Sequence, residues 1–215
     1  MKIVKEGFWV IVPSAIIPIL LIWITSWRSW GLIFIFTVIM VFFFRDPNRL
    51  PPSVADGILA PADGRILLIN KSSNILTLFI ELSFLNCHLQ RAPMSGVITQ
   101  ITRRSGHKRR FHLIYPKFGS IRKKVRAVME NKQNIIEIKT ENATKIWLTQ
   151  IVGAFARRLK SYVKVGDKVQ KGEKVGLIYF GSMVKLEMQG QFDLQVKQGD
   201  KVKAGETIIA FPKNL

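Results

Sequence analysis

Side chains able to act as specific acids, bases or nucleophiles are scarce in this chain. It holds three histidines (His88, His107 and His112), one cysteine (Cys87) and 14 acidic residues among 215. A single thiol excludes an internal disulfide framework and an all-cysteine zinc site, and three histidines leave little for a metal cluster, so no metal is expected. An unperturbed imidazole titrates near neutral pH. That makes His88, in N-C-H-L-Q-R-A-P, an acid–base candidate, against the plainer reading of a half-buried ring. His107 and His112 lie in G-H-K-R-R-F-H and read as solvated basic surface. Asp63, in A-P-A-D-G, reads by default as a turn residue, because aspartate accepts local backbone hydrogen bonds. Asp56-Gly57 reads the same way. Two Gly-Ser steps occur, Gly119-Ser120 after the basic Y-P-K-F stretch and Gly181-Ser182 between the hydrophobic run K-V-G-L-I-Y-F and V-K-L-E-M.

The elements that must position these residues read as β-strands. G-R-I-L-L-I-N, N-I-L-T-L-F-I-E-L, S-G-V-I-T-Q-I, N-I-I-E-I-K-T, K-I-W-L-T-Q-I, K-V-G-L-I-Y-F and V-K-L-E-M are short runs rich in β-branched and aromatic residues, bounded by turn formers. One helix is expected around Ser83–Gln90. An internal repeat links the C-terminal runs: Val163–Val175 (V-K-V-G-D-K-V-Q-K-G-E-K-V) recurs 33 residues later as Val196–Ile208 (V-K-Q-G-D-K-V-K-A-G-E-T-I). Each Gly-Asp supplies turn chemistry, so the copies should form matching turns of a pseudo-symmetric β-unit. Biotinyl and lipoyl carrier domains use similar hammerhead-like turns, and the phrase therefore marks an architecture and not a function. A-P-A-D-G-R-I and A-P-M-S-G-V-I look like further strand entries of one kind. The expected fold is mainly β, a compact sandwich or barrel with few helices.

Ahead of this domain, Gly7–Trp27 runs 21 residues without a formal charge and Ser29–Phe44 another 16. A spanning helix needs roughly 20 apolar residues. Tryptophans at positions 9, 23, 27 and 30 mark the ends of the stretches, where indoles favour headgroup level. The sequence predicts an N-terminal transmembrane helical hairpin over residues 1–52, closed by the Pro-rich exit R-D-P-N-R-L-P-P, and a β-rich catalytic domain over 53–215. A cleaved signal peptide would need a small-residue cleavage site, which is missing before Arg28. A buried hairpin would show a polar stripe. Lys2, Lys5, Arg45 and Arg49 flank the open ends, so the positive-inside rule expects the cell membrane, with the domain on the cytoplasmic side.

The 33 basic residues give a net charge of +19. A charge of that size calls for an anionic partner. Nucleic acid is not expected, because no helix-turn-helix, RNA-binding sheet signature or zinc finger is present. An anionic phospholipid membrane fits the same charges.

Taken in order, F-F-F-R-D-P-N-R, L-A-P-A-D-G-R-I, the His88 segment, Q-I-V-G-A-F-A-R-R-L and G-D-K-V-Q-K-G-E-K-V-G-L-I-Y-F-G-S-M-V resemble the phosphatidylserine decarboxylase family in its short, archaetidylserine decarboxylase-like form. The resemblance implies a self-processing enzyme. The Ser182 hydroxyl would attack the Gly181 carbonyl, cutting the chain into residues 1–181 and 182–215 and leaving Ser182 as a pyruvoyl group. That group would serve as the cofactor for decarboxylating a serine-headgroup phospholipid. The resemblance gives Asp63 and His88 to the cleavage apparatus, as orienting carboxylate and acid–base. It makes the cleaved short chain a standing partner and leaves oligomers open. Two departures stand out: Arg91 replaces a second histidine of larger members, and Met183 and Lys185 replace the usual Arg and Asp of G-S-R-V-D. A membrane-anchored biotinyl- or lipoyl-like carrier is the non-catalytic alternative, although no M-K-M tripeptide is present.

Overall fold

The computed structural model describes residues 2–20, 27–54, 56–106, 121–153, 158–179 and 182–213. Residues 1–48 and 49–215 form two separate compact units. In the first, β1 (Lys2–Ile3) pairs with β2 (Arg45–Asp46), and the helices α1 (Lys5–Leu20) and α2 (Trp27–Phe43) lie between them in sequence. Thr37 Oγ1 donates to Ser14 Oγ across the helix pair. The expected transmembrane hairpin is corrected here: among the described residues no helix is long and apolar enough to cross a membrane. The physical reason is length. At about 1.5 Å per residue, the 16 and 17 described residues of α1 and α2 reach only about 24–26 Å, short of a hydrocarbon core of about 30 Å.

The second unit is almost all strand, and its chain order is β3 (Ile58–Leu59), β4 (Gly64–Lys71), β5 (Ile75–Leu82), β6 (Leu89–Arg91), β7 (Gly96–Arg104), α3 (Ile121–Met129), β8 (Gln133–Lys139), β9 (Lys145–Val152), β10 (Leu159–Ser161), β11 (Lys168–Val169), β12 (Lys174–Ile178), β13 (Ser182–Gln189), β14 (Phe192–Leu194), β15 (Lys201–Val202) and β16 (Ile208–Pro212). Eight strands form one antiparallel sheet in the order β11-β7-β8-β9-β13-β5-β4-β15, and two three-stranded sheets run β10-β12-β6 and β14-β16-β3. Alternation sends Ile80, Ile98, Ile136, Ile138, Leu148, Val184 and Leu186 into a core shared with Ile58, Val175, Ile178 and Ile209 of the small sheets. The opposite face of the large sheet buries Phe79, Ile151 and Met183 under Val125 and Val128 of α3. Each buried valine contributes roughly 1.5–3 kcal/mol. The expected helix at Ser83–Gln90 is absent. The Ser83 amide and hydroxyl both donate to Asn86 Oδ1 at 2.7 Å, and a polar side chain that satisfies the backbone locally competes with helix.

The strand orders read the same from either end, because the unit is an internal duplication. β4, β5, β13 and β15 correspond to β7, β8, β9 and β11 about an approximate two-fold axis between β9 and β13, and the small sheets correspond to each other. The details repeat. Ile66 N donates to Asp200 O and Ile98 N to Asp167 O, both at 2.9 Å, and Gly199 N and Gly166 N return bonds to the same two isoleucines, both at 2.8 Å. A register shift follows each isoleucine, between Ile66 and Leu68 and between Ile98 and Gln100. Gly166 and Gly199 adopt φ of +94° and +97°, the left-handed region where glycine carries no Cβ penalty.

Candidate active site

Strand register gathers the three candidate residues at one end of the large sheet. β13 opens at Ser182, paired with Leu82, the last residue of β5, and with Val152, the last residue of β9. One strand further, Arg65 of β4 pairs with Glu81, which brings Gly64 and Asp63 to the same end. With strands about 4.8 Å apart, the Gly64 backbone lies roughly 10 Å from that of Ser182. His88 follows Leu82 by six residues, and its carbonyl accepts a hydrogen bond from Ile178 N at 3.1 Å. Ile178 in turn precedes Ser182 by four residues. The two segments thus pair at Leu82–Ser182 and meet again at His88–Ile178. Gly181 lies outside the described residues, as do the side chain of Ser182 and both His107 and His112.

His88 is fully buried, and its Nδ1 lies 2.8 Å from the Asn86 carbonyl. A carbonyl only accepts, so Nδ1 carries a proton and the Asn86 carbonyl orients the ring.

Asp63 is also buried. Its carboxylate accepts from Arg49 at 2.9 and 3.2 Å and from the Ala204 amide at 2.8 Å, and Arg49 reaches Glu206 at 3.0 Å. The duplicated half supplies a comparison. There Ser95 takes the place of Asp63, and its hydroxyl accepts from the Lys171 amide at 3.0 Å. A serine is enough to hold the turn. The charge at position 63, with Arg49 to balance it, is additional to that need.

The two departures from the family pattern acquire local explanations. Arg91 donates to the Gly172 carbonyl at 2.9 Å, bracing a turn of the repeat. Met183 is only 2% exposed and packs beneath α3, so an apolar residue suits that position, while Lys185 pairs with Glu187 at 2.7 Å.

Sequence reasoning missed a buried polar chain beside these residues. Gln90 Nε2 donates to the His88 carbonyl, Gln150 Nε2 to Gln90 Oε1, and Asn134 Nδ2 to Gln150 Oε1, each at 2.7 Å. Asn134 Nδ2 also reaches Ser161 Oγ at 2.9 Å. The signal was present in K-Q-N-I-I and L-T-Q-I-V, where amide side chains stand on inward strand positions that alternation expects to be apolar.

The sequence model of the phosphatidylserine decarboxylase family matches residues 36–210. The chain belongs to this family. It is 32% identical to the phosphatidylserine decarboxylase proenzyme of Geotalea uraniireducens, covering 96% of this chain and 95% of that one. It is 34% identical to the proenzyme of the same name from a Wolbachia of Brugia malayi, over 96% and 89%. A Methanothermobacter thermautotrophicus protein, named provisionally as an archaetidylserine decarboxylase proenzyme, is 35% identical over 93% and 91%. No solved structure matches the chain. Family membership makes the protein a lyase of the decarboxylase type and removes the carrier alternative.

Proposed function

We propose that the chain is a proenzyme that cuts itself between Gly181 and Ser182 and then decarboxylates a serine-headgroup phospholipid, phosphatidylserine or archaetidylserine, to the ethanolamine-headgroup lipid and CO2. The observation that carries the reading is the convergence of Asp63, His88 and the first residue of β13 at one sheet end.

Cleavage begins with attack of the Ser182 hydroxyl on the Gly181 carbonyl, replacing the amide by an ester and freeing the Ser182 nitrogen. His88 Nε2 is the base that takes the hydroxyl proton, and Asp63 stabilises the charge that develops. Elimination releases the Gly181 carboxylate and leaves a dehydroalanine at 182. Water then hydrolyses that residue to a pyruvoyl group and ammonia.

The fold suits a new terminus at this point. Met183 onward is paired on both sides, with β5 and β9, so the short chain 182–215 keeps its place as β13–β16 after the cut. The pyruvoyl group supplies an electron sink for the carboxylate that leaves. His88 remains beside it to deliver a proton, and the buried setting of His88 and Asp63 limits water at the reacting end.

The substrate lies in a lipid surface, and we place the protein at the cell membrane, on the cytoplasmic face. Trp9, Leu32 and Phe34 of the helical unit are 85%, 72% and 70% exposed. Apolar exposure on that scale supports contact with lipid, and the net charge of +19 supports attraction to an anionic leaflet.

The test is a denaturing gel with mass spectrometry of the purified protein. Two fragments should appear, residues 1–181 and 182–215, the smaller one bearing a ketone and no amine at its start. Ser182→Ala should leave a single intact chain that releases no CO2. An intact wild-type chain that is fully active would refute the proposal.

A further inference from the structure

The duplicated halves allow each position at the reacting end to be compared with its counterpart at the other end. Register equates Gln90 with Ile58, Asn134 with Leu76, Gln150 with Met188, Ser161 with Leu194 and Gly176 with Ala210. The Asn134–Gln150 cross-strand pair therefore stands where the other half has Leu76–Met188. Ile58, Leu76, Met188 and Ala210 belong to the main core, and Leu194 packs against it. The same backbone positions are thus filled by apolar residues at the end away from Ser182. At the reacting end four of the five are polar and joined in one hydrogen-bonded chain. The fifth, Gly176, makes room for it, since a Cβ there would stand 2.5 Å from Gln150 Nε2 and 2.7 Å from the Lys160 carbonyl.

Stability alone does not ask for this chain. Gln90 and Gln150 are fully buried and Asn134 is 2% exposed. Burying an amide without full pairing costs about 1–3 kcal/mol on mutational scales, and Asn134 Oδ1 has no hydrogen-bond partner. The apolar set would avoid that penalty, and the other half uses it. What directional bonds supply and apolar packing does not is a defined position. The chain ends on the His88 carbonyl, which also receives Ile178 N from the strand leading to the Gly181-Ser182 junction. Gln90 sits on β6, Asn134 on β8, Gln150 on β9 and Ser161 on β10, and Gln150 pairs with Val184, two residues beyond Ser182.

We propose that Gln90, Gln150, Asn134 and Ser161 form a positioning network that fixes the His88 main chain, and with it the imidazole, relative to the strand that begins at Ser182. The proposal rests on the reading that Ser182 and His88 react. None of the four touches the reacting atoms. Their work is to hold one sheet against the other in a single arrangement.

The experiment cuts the network from His88 by copying Ile58 and Met188 of the other half, as the double variant Gln90→Ile/Gln150→Met, with wild type and Ser182→Ala run alongside; Asn134 keeps its bond to Ser161. The melting temperature should equal or exceed that of wild type, because replacing both partners of a buried pair by apolar groups is neutral or stabilising. Self-cleavage should slow by at least about tenfold, since small displacements of a catalytic group carry penalties of that size or more. In the fraction that matures, kcat should fall while KM is retained. If the double variant does not fold, Ser161→Ala, which removes one bond of the network at a half-buried position, provides the comparison with a smaller slowing.

Cleavage at the wild-type rate in the folded variant would overturn the proposal. So would a loss of cleavage that appears only together with a loss of thermal stability, in the double and the single variant alike. A wild-type chain that never cleaves would instead remove the reading of Ser182 on which the network depends.

Discussion

Asp63→Ser separates the two things that position 63 does. The substitution copies the other half of the duplication, where Ser95 holds the equivalent turn through the Lys171 amide at 3.0 Å. Ala204 N should therefore keep an acceptor. What disappears is the ion pair with Arg49, 2.9 Å long, between side chains 10% and 9% exposed. Removing one partner of a buried pair costs about 3–5 kcal/mol when the other is stranded. Here Arg49 keeps Glu206 at 3.0 Å, so the guanidinium is not stranded, and the retained turn bond preserves about 1 kcal/mol more. The expected loss is about 1–2 kcal/mol, or a fall of roughly 2–8 °C in melting temperature for a domain of this size.

The effect on processing should be far larger. Asp63 is held by Arg49 and Ala204 while Asn86 orients His88, so its part is the charge it places at the reacting end, and removing one preorganised electrostatic group costs about 10²–10³-fold in hydrolases. We expect the half-time of cleavage at Gly181/Ser182 to lengthen by at least about 100-fold. A time course on denaturing gels reads the rate, and a thermal melt on the uncleaved Ser182→Ala background reads the stability without interference from the cut. If Asp63→Ser cleaves as fast as wild type, Asp63 is a turn residue like Ser95 and its assignment to the cleavage apparatus is wrong.

Three further outcomes follow from the packing and the charges. Met183→Arg, which restores the residue usual in the family, should destabilise this protein by about 2–4 kcal/mol, because Met183 is sealed beneath Val125 and Val128; an unchanged melting temperature would mean that α3 does not cover it. Gly176→Ala should lower both stability and cleavage rate, since its Cβ would collide with Gln150 Nε2 at 2.5 Å, and a variant that processes normally would count against the network. Burial alone would push the Glu137 carboxyl up, but hydrogen bonds from Trp147, Thr99 and Lys145 outweigh it and hold the group below its ordinary value of 4.5. A depressed folded value contributes stability that is present above the unfolded value and is lost as pH falls through the folded one. Trp147→Phe, which removes a 2.8 Å bond to Glu137, should therefore weaken the protein above about pH 4 and flatten the acid limb of its melting curve. Melts from about pH 3 to 6 read this, and an identical acid limb would refute the assignment.

The strands were legible because alternation and turn formers coincide along this chain. G-R-I-L-L-I-N, K-I-W-L-T-Q-I and V-K-L-E-M each carry β-branched or large apolar residues on one face, and each forms a strand. The turn repeat was legible for a similar reason, since Gly166 and Gly199 take the backbone angle their motif anticipates. The helices were harder to read. In I-R-K-K-V-R-A-V-M the basic residues dominate the composition, and only the spacing of Val125, Val128 and Met129 on one side reveals a helix seated on a sheet. The N-terminal stretches show the reverse problem. Their uniform apolarity suggests a spanning length, but apolarity does not set helix length, and over the described residues α1 and α2 run 16 and 17 residues. At the candidate site, Asp63 and His88 could be picked out by residue type and motif. Their convergence with Ser182 could not, because it depends on pairing between strands about a hundred residues apart in sequence.

The duplication also bears on why cleavage is tolerated where it occurs. At the far end of the sheet, β8 and β9 are joined by a tight hairpin, closed by the Thr140 amide on the Thr144 carbonyl at 3.0 Å, with Ala143 at φ of +58°. The corresponding strands at the reacting end, β5 and β13, are paired through Leu82 and Ser182 but have no such hairpin between them. Register equates Ser182 with Thr144, so the proposed nucleophile occupies the place of a turn residue. A cut before Ser182 releases a strand already paired on both sides over its whole length, with seven or eight residue pairs to each neighbour. Each backbone bond in those ladders contributes about 0.5–1.5 kcal/mol net, so a new terminus at 182 is retained by the sheet.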